Sequence, residues 1–209
     1  MSALDRIAHF QNRRDEVPNR ELARDLAAKK DRAGIREIAG HLWDKNTNIA
    51  ADCIKVLYEV GYIDPSLIAD YVEDLVKLLN SRNNRLVWGG MIALAEASRA
   101  NPDGVYKHLA EVKKAMDAGS VITVDSAVKA LALTAAANAE YNAAIFPILL
   151  KHLQTCRPKD VAQHSEKTLP AVTAANKTKF IAALEKRMED LSGPALARVK
   201  KVIKQASAI

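Results

Sequence analysis

One leucine returns at a near-constant interval, and that interval limits what the chain can fold into. Leu57 in IKVLYEV, Leu94 in MIALAEA, Leu131 in VKALALT and Leu169 in EKTLPAV are spaced 37, 37 and 38 residues apart. Four residues before each stands a small side chain: Cys53, Gly90, Ala127 and Ser165. Eight before stand Ile49, Leu86, Thr123 and Val161, and three before stand Ile54, Met91, Val128 and then Glu166, which breaks its column. A second set lies in the stretches between: Ile35, Val72, Leu109 and Phe146; Ile38, Leu75, Val112 and Leu149; Leu42, Leu79, Met116 and Leu153. Several columns in one register mean a structural repeat, in which each unit buries its apolar stripe only against its neighbours.

The punctuation agrees. Asp64-Pro65, Asn101-Pro102 and Asn138-Ala139 place a helix-capping side chain before Pro or Ala at the first helical position, where a missing N–H costs nothing. Each unit therefore reads as two antiparallel helices, A then B. The A helices are expected at about 31–43, 64–80, 101–117, 139–154 and 177–191. The B helices are expected at about 46–61, 84–99, 122–137, 159–175 and 193–207. In the last, Leu196, Val199, Val202 and Ile203 face inward and Arg198, Lys201 and Lys204 outward. Residues 1–30 read as a cap: a first helix from Ala3 to Arg14 with Leu4, Ile7 and Phe10 on one face, then a short helix from Glu21 to Lys30. Residues 31–209 form the array, in a single domain with the cap. Trp43 closes the first A helix and is expected to cover the edge of the core. With 8 Gly in 209 residues, the chain lacks the turn residues an all-β fold needs.

The stretch LLNSRNNRLVWGGMIALAEA, Leu78 to Ala97, resembles a HEAT repeat: a helix A ending in a leucine pair, a short polar turn, and a helix B with Ala/Leu spacing. IFPILLKHL resembles a HEAT helix A with Pro147 where that helix often kinks. The likeness covers residues 31–175 and, more loosely, 177–207. The chain departs from the family in lacking an Arg just inside helix B, where it carries Ala50, Val87, Val124 and Ala162, so the related armadillo type stays open. The resemblance implies an all-α, right-handed α-α superhelix, a solenoid of about five helical pairs, whose B helices line a concave binding face.

Stepping about 100° per residue from the repeat leucine, positions nine, five and two before it and two after it face away from the core. The columns are Asn48, Arg85, Ile122 and Asp160; Asp52, Gly89, Ser126 and His164; Lys55, Ile92, Lys129 and Lys167; and Glu59, Glu96, Leu133 and Ala171. Trp88 and Asp125 share the column six before the leucine. The candidate binding residues are thus Lys55, Arg85, Trp88, Gly89, Ile92, Asp125, Lys129, His164 and Lys167. Trp-Gly-Gly at 88–90 is unlike the sister helices, and Gly89 is where a side chain or a ligand comes close to the backbone. Trp88 also reads as a packing residue beside the two glycines, and Asp125 as a carboxylate favoured by the N-terminal helix dipole. An aromatic beside a carboxylate on neighbouring B helices resembles the HEAT-like bacterial alkylpurine DNA glycosylases, which grip DNA in a concave groove.

Charge adds a partner class. Residues 151–209 hold 12 Lys/Arg against 5 Asp/Glu, whereas the first 150 hold 19 against 20. A basic C-terminal third suits an anionic partner. No Gly-rich phosphate loop, HExxH or Ser/His/Asp set occurs. His9, His41, His108, His152 and His164 share no helix face, and Cys53 and Cys156 stand far apart. No cofactor, metal or catalytic residue is therefore expected. No apolar run reaches the roughly 20 residues of a membrane span, so no membrane partner is expected, and two cysteines suit a reducing cytoplasmic setting. The reading is a non-catalytic scaffold holding a protein segment on its B-helix face. The alternative is a nucleic-acid-binding protein that resembles those glycosylases.

Overall fold

A computed structural model describes residues 2–209, and its regular structure is entirely helical. The helices are α1 (Val17–Lys29), α2 (Arg32–Gly40), α3 (Thr47–Ile63), α4 (Val72–Leu78), α5 (Asn84–Ala97), α6 (Pro102–Lys107), α7 (Leu109–Ala118), α8 (Val121–Ala135), α9 (Ala139–Thr155), α10 (Pro158–Thr168), α11 (Lys177–Arg187) and α12 (Gly193–Ser207). The B helices are α3, α5, α8, α10 and α12. Packing divides the chain into two compact units, 1–130 and 131–209.

The columns read from the sequence are the core. Cys53, Leu57 and Leu94 are fully buried, as are Ile35, Ile38, Leu42, Leu75, Val112, Leu149 and Leu153. Leu169, where the period slips to 38, is only half-buried. Each fully buried Leu or Ile contributes about 1.5–3 kcal/mol relative to exposure. The small column does what its size allows. A Cβ on Gly90 would stand 3.1 Å from Leu78 Cβ and 3.2 Å from the Leu75 carbonyl oxygen, so α5 rests directly on the backbone of α4.

Caps set the starts. Asn46, Asn83, Asn101 and Asn138 each accept a hydrogen bond from a backbone N–H in the first turn of α3, α5, α6 and α9. Two A helices are broken where one was expected. The second runs as two 3-10 turns, Pro65–Leu67 and Ala69–Tyr71, before α4, and the third divides at His108 into α6 and α7. The fourth runs through Pro147 as one α-helix. The fourth B helix stops at Thr168, short of 175, because Pro170 has no N–H to donate and its ring opposes a helical residue before it.

The cap at the N-terminus differs more. Only Leu4–Arg6 form a 3-10 turn, and the expected helix from Ala3 to Arg14 is absent. The N–H of Ala8 donates to Asn19 Oδ1 at 2.9 Å and that of His9 to Asp52 Oδ2 at 2.8 Å. Asn19 Nδ2 closes the knot on Asp52 Oδ1 at 2.9 Å. These buried side chains take the donors a helix would have used. Ile7 is buried as expected, but Phe10 is half-exposed. Trp43 is also exposed, at 52%, and does not cover the core edge.

Candidate binding surface

The outward arc of a B helix is narrower than the sequence geometry allowed. The whole column five before the repeat leucine is buried: Asp52, Gly89, Ser126 and His164. At about 140° from the leucine, that column falls on the helix flank, and in a stacked array the flanks belong to the neighbouring helices. Gly89, expected to face a groove, faces α3 instead. A Cβ there would stand 2.9 Å from Ile54 Cγ1 and 3.0 Å from Cγ2, so the side chain that comes close is Ile54. His164, also expected outward, is 3% exposed.

Between α3 and α5 in the first unit runs a row of aromatic rings that reaches the outer face at Tyr62. Tyr58 and Tyr62, one turn apart on α3, meet edge to face at 5.8 Å, and the Trp88 ring of α5 lies 6.3 Å from Tyr58. Tyr62 is 53% exposed, Trp88 half-buried and Tyr58 buried. Burial, with the Glu96 carboxylate nearby, pushes the Tyr62 phenol up to about 12. Two lysines sit on this row. Lys55 Nζ lies 4.7 Å from the Tyr58 ring centroid and Lys129 Nζ 5.8 Å from that of Tyr62.

Carboxylates hold the same lysines from the other side. Lys55 bonds Glu16 and Glu59, each at 2.8 Å. Burial opposes its charge, but those two carboxylates and Tyr58 outweigh it and hold its pKa above the ordinary lysine value. Lys129 bonds Glu96, which is 4% exposed and also pairs with Arg99 at 3.4 Å. Glu96 fits because α3 carries Gly61 opposite it; a Cβ on Gly61 would stand 2.9 Å from Glu96 Cβ. Glu16 reaches from the N-terminal segment to Arg85 as well, at 3.6 Å. Beside it opens a polar cavity of about 410 Å³ lined by His9, Arg13, Arg14, Asp52 and Arg85.

Thus Lys55, Arg85 and Trp88 gather on one surface with Lys129, and Lys55 is buried where exposure was expected. Ile92 and Asp125 are half-buried in the same unit. The residues the sequence reading passed over are Tyr58, Tyr62 and Glu16. The tyrosines had a signal, an aromatic pair at i, i+4, but Tyr58 adjoins the repeat leucine and reads as core. Glu16 had none, since its partners are 39 and 69 positions away.

In the second unit His164 lies against α9. Its Nδ1 is 2.9 Å from His152 Nε2, with the rings 4.9 Å apart. Cys156, at the turn from α9 to α10, completes a cluster in which one ligating atom from each residue lies within 4.8 Å of the others. Arg187 braces that turn, donating to the Leu153 carbonyl at 2.6 Å and the Cys156 carbonyl at 2.8 Å. It thereby satisfies helix-end acceptors that have no partner within α9. Burial pushes the Cys156 thiol up, against the pull of the Arg187 guanidinium. The three lie on two helices and the turn between them, not on one helix face. Lys167 is half-buried on α10.

No family model matches the chain, and no curated protein does. Solved structures do. An engineered protein is 18% identical, with a TM-score of 0.67, over 100% of this chain and 98% of its own. A designed armadillo repeat protein in complex with the peptide (KR)4 is 17% identical, with a TM-score of 0.69, over 90% of this chain and 85% of its own. A second engineered protein is 19% identical, with a TM-score of 0.65, over 98% of this chain and 57% of its own. The fold is therefore a divergent all-α helical repeat of the armadillo/HEAT type. No helix among the described residues is long and apolar enough to cross a membrane.

Proposed function

We propose that this chain is a non-catalytic repeat scaffold that binds an extended segment of another protein along the outer face of α3 and α5. One observation carries the reading. Lys55 and Lys129 are each held between a tyrosine ring and a carboxylate, so the surface already provides the environment that receives a lysine or arginine side chain. A basic segment would take the place of Lys129, the more exposed of the two, on Tyr62 and Glu96, and lay an apolar or guanidinium group on Trp88. The designed armadillo neighbour is held with a Lys/Arg peptide, which supports the same class of ligand here.

Isothermal titration calorimetry with an eight-residue Lys/Arg peptide tests this. Saturable binding is expected, weakened at least tenfold by Trp88→Ala or Tyr62→Ala, with helicity unchanged. A response equal to that of an acidic peptide, or one indifferent to both substitutions, overturns it. The nucleic-acid alternative rests on the basic charge of residues 151–209. It is less favoured because Arg157, Arg187 and Arg198 there are already paired with Asp160, Asp190 and Glu166. Duplex DNA binding that falls steeply with salt would favour it over the peptide reading.

A further inference from the structure

We propose that His152, Cys156 and His164 form a binding site for a zinc-class divalent metal at the turn between α9 and α10. Three observations support it. The ligating atoms already lie within 4.8 Å of one another, and the two ring nitrogens are 2.9 Å apart. Around a tetrahedral zinc with bonds of about 2.0–2.3 Å, nitrogens and a sulfur stand roughly 3.3–3.7 Å from each other, so small side-chain shifts close the site. The donors are two imidazoles and one thiol, with no carboxylate in the group, a set that selects zinc or cobalt over magnesium or calcium.

The third observation is the frame. His164 is 3% exposed and fixed on α10, whereas His152 and Cys156 are half-buried at the end of α9, so a metal has an entry path and one anchored ligand. Arg187 fixes the backbone on both sides of the turn through the Leu153 and Cys156 carbonyls, placing the thiol before any metal arrives. With the rings meeting nitrogen to nitrogen, one must carry the proton that lies between them. A metal ion takes the place of that proton, which passes to the other nitrogen of its own ring, and of the thiol proton, which goes to solvent. Three protein ligands leave a fourth coordination position for water.

Titration of the full chain with cobalt(II), followed by displacement with zinc, tests the site. One equivalent of cobalt should give a thiolate-to-metal charge-transfer band and tetrahedral visible bands, both abolished by zinc. Cys156→Ser and His152→Gln are the variants of choice, because both residues are half-exposed and far-UV circular dichroism will report an intact fold. Each should weaken binding by more than the roughly tenfold to hundredfold that loss of an outer-shell partner costs. Cys156→Ser should also remove the charge-transfer band. Cys53→Ser should change neither, since Cys53 is fully buried and burial pushes its thiol up to about 12. A cobalt spectrum without a thiolate band, or affinity unchanged in both variants, overturns the proposal. If either variant fails to fold, alkylation of Cys156 in the native chain gives the same comparison.

Discussion

Gly89 and Glu96 show how single side chains set the contact between α3 and α5. A methyl group at Gly89 meets Ile54 at 2.9–3.0 Å, closer than carbon atoms approach. Gly89→Ala should destabilise the first unit by about 1–3 kcal/mol, read from urea unfolding, and Ile54→Val should recover part of the loss by removing the Cδ1 methyl and freeing the remaining atoms to shift. His108 offers a residue-scale test in pH. The Glu73 carboxylate at 2.9 Å raises its pKa above the ordinary 6.5, against partial burial and with help from Glu111. The same bond lowers Glu73 below 4.5. A raised histidine stabilises the fold fully below its unfolded pKa, and that contribution is lost as pH rises through the folded value. A lowered carboxylate stabilises above its unfolded pKa, and that contribution is lost as pH falls through the folded value. The pair therefore acts between those two limits. An NMR titration of the His108 ring should give a midpoint above 6.5, moving down in Glu73→Gln.

Whole helices answer to their ends. Asn101 accepts from the Gly104 N–H at 2.8 Å, starting α6, and donates Nδ2 to the Ala69 carbonyl at 2.9 Å in the preceding repeat. Asn101→Ala removes the cap and one donor to that carbonyl. Together these should cost about 1–3 kcal/mol in chemical denaturation. Helix starts of this kind were legible in the sequence because a cap is a local pattern of one side chain and the next few N–H groups. So were the core columns, since a 37-residue period maps directly onto burial. The N-terminal segment was not legible: its periodicity is helical, but Asn19 and Asp52 take its donors from far along the chain. The outer face of α3 and α5 was half-legible. The exposure of Arg85 followed from helical geometry, while the burial of Lys55, Gly89 and His164 depended on neighbours that stepping around one helix does not include.

Across the whole molecule, both tryptophans, Trp43 and Trp88, lie in the first unit, and Arg187 braces the second. Tryptophan fluorescence therefore reports the first unit, and far-UV circular dichroism reports both. Arg187→Ala leaves the Leu153 and Cys156 carbonyls without their charged donor and should cost about 2–4 kcal/mol. The loss should appear as a circular dichroism transition that begins before the fluorescence transition. Coincident curves in this variant would mean that the two units melt as one.

The bond from Asn101 to Ala69 has a consequence at the level of the gene. Each of these residues belongs to a different 37-residue segment, so the segment carries half of its own fastening at either end. An in-frame duplication of the segment that begins at Asn101 supplies the joint's donor without any further substitution, whereas one that begins at Asp64 supplies a carboxylate with no N–H to donate. An insertion of another length must find a new partner for that carbonyl. The length of such a chain is therefore a quantity that inheritance changes in whole steps, and an asparagine at the segment's start is what makes the step whole.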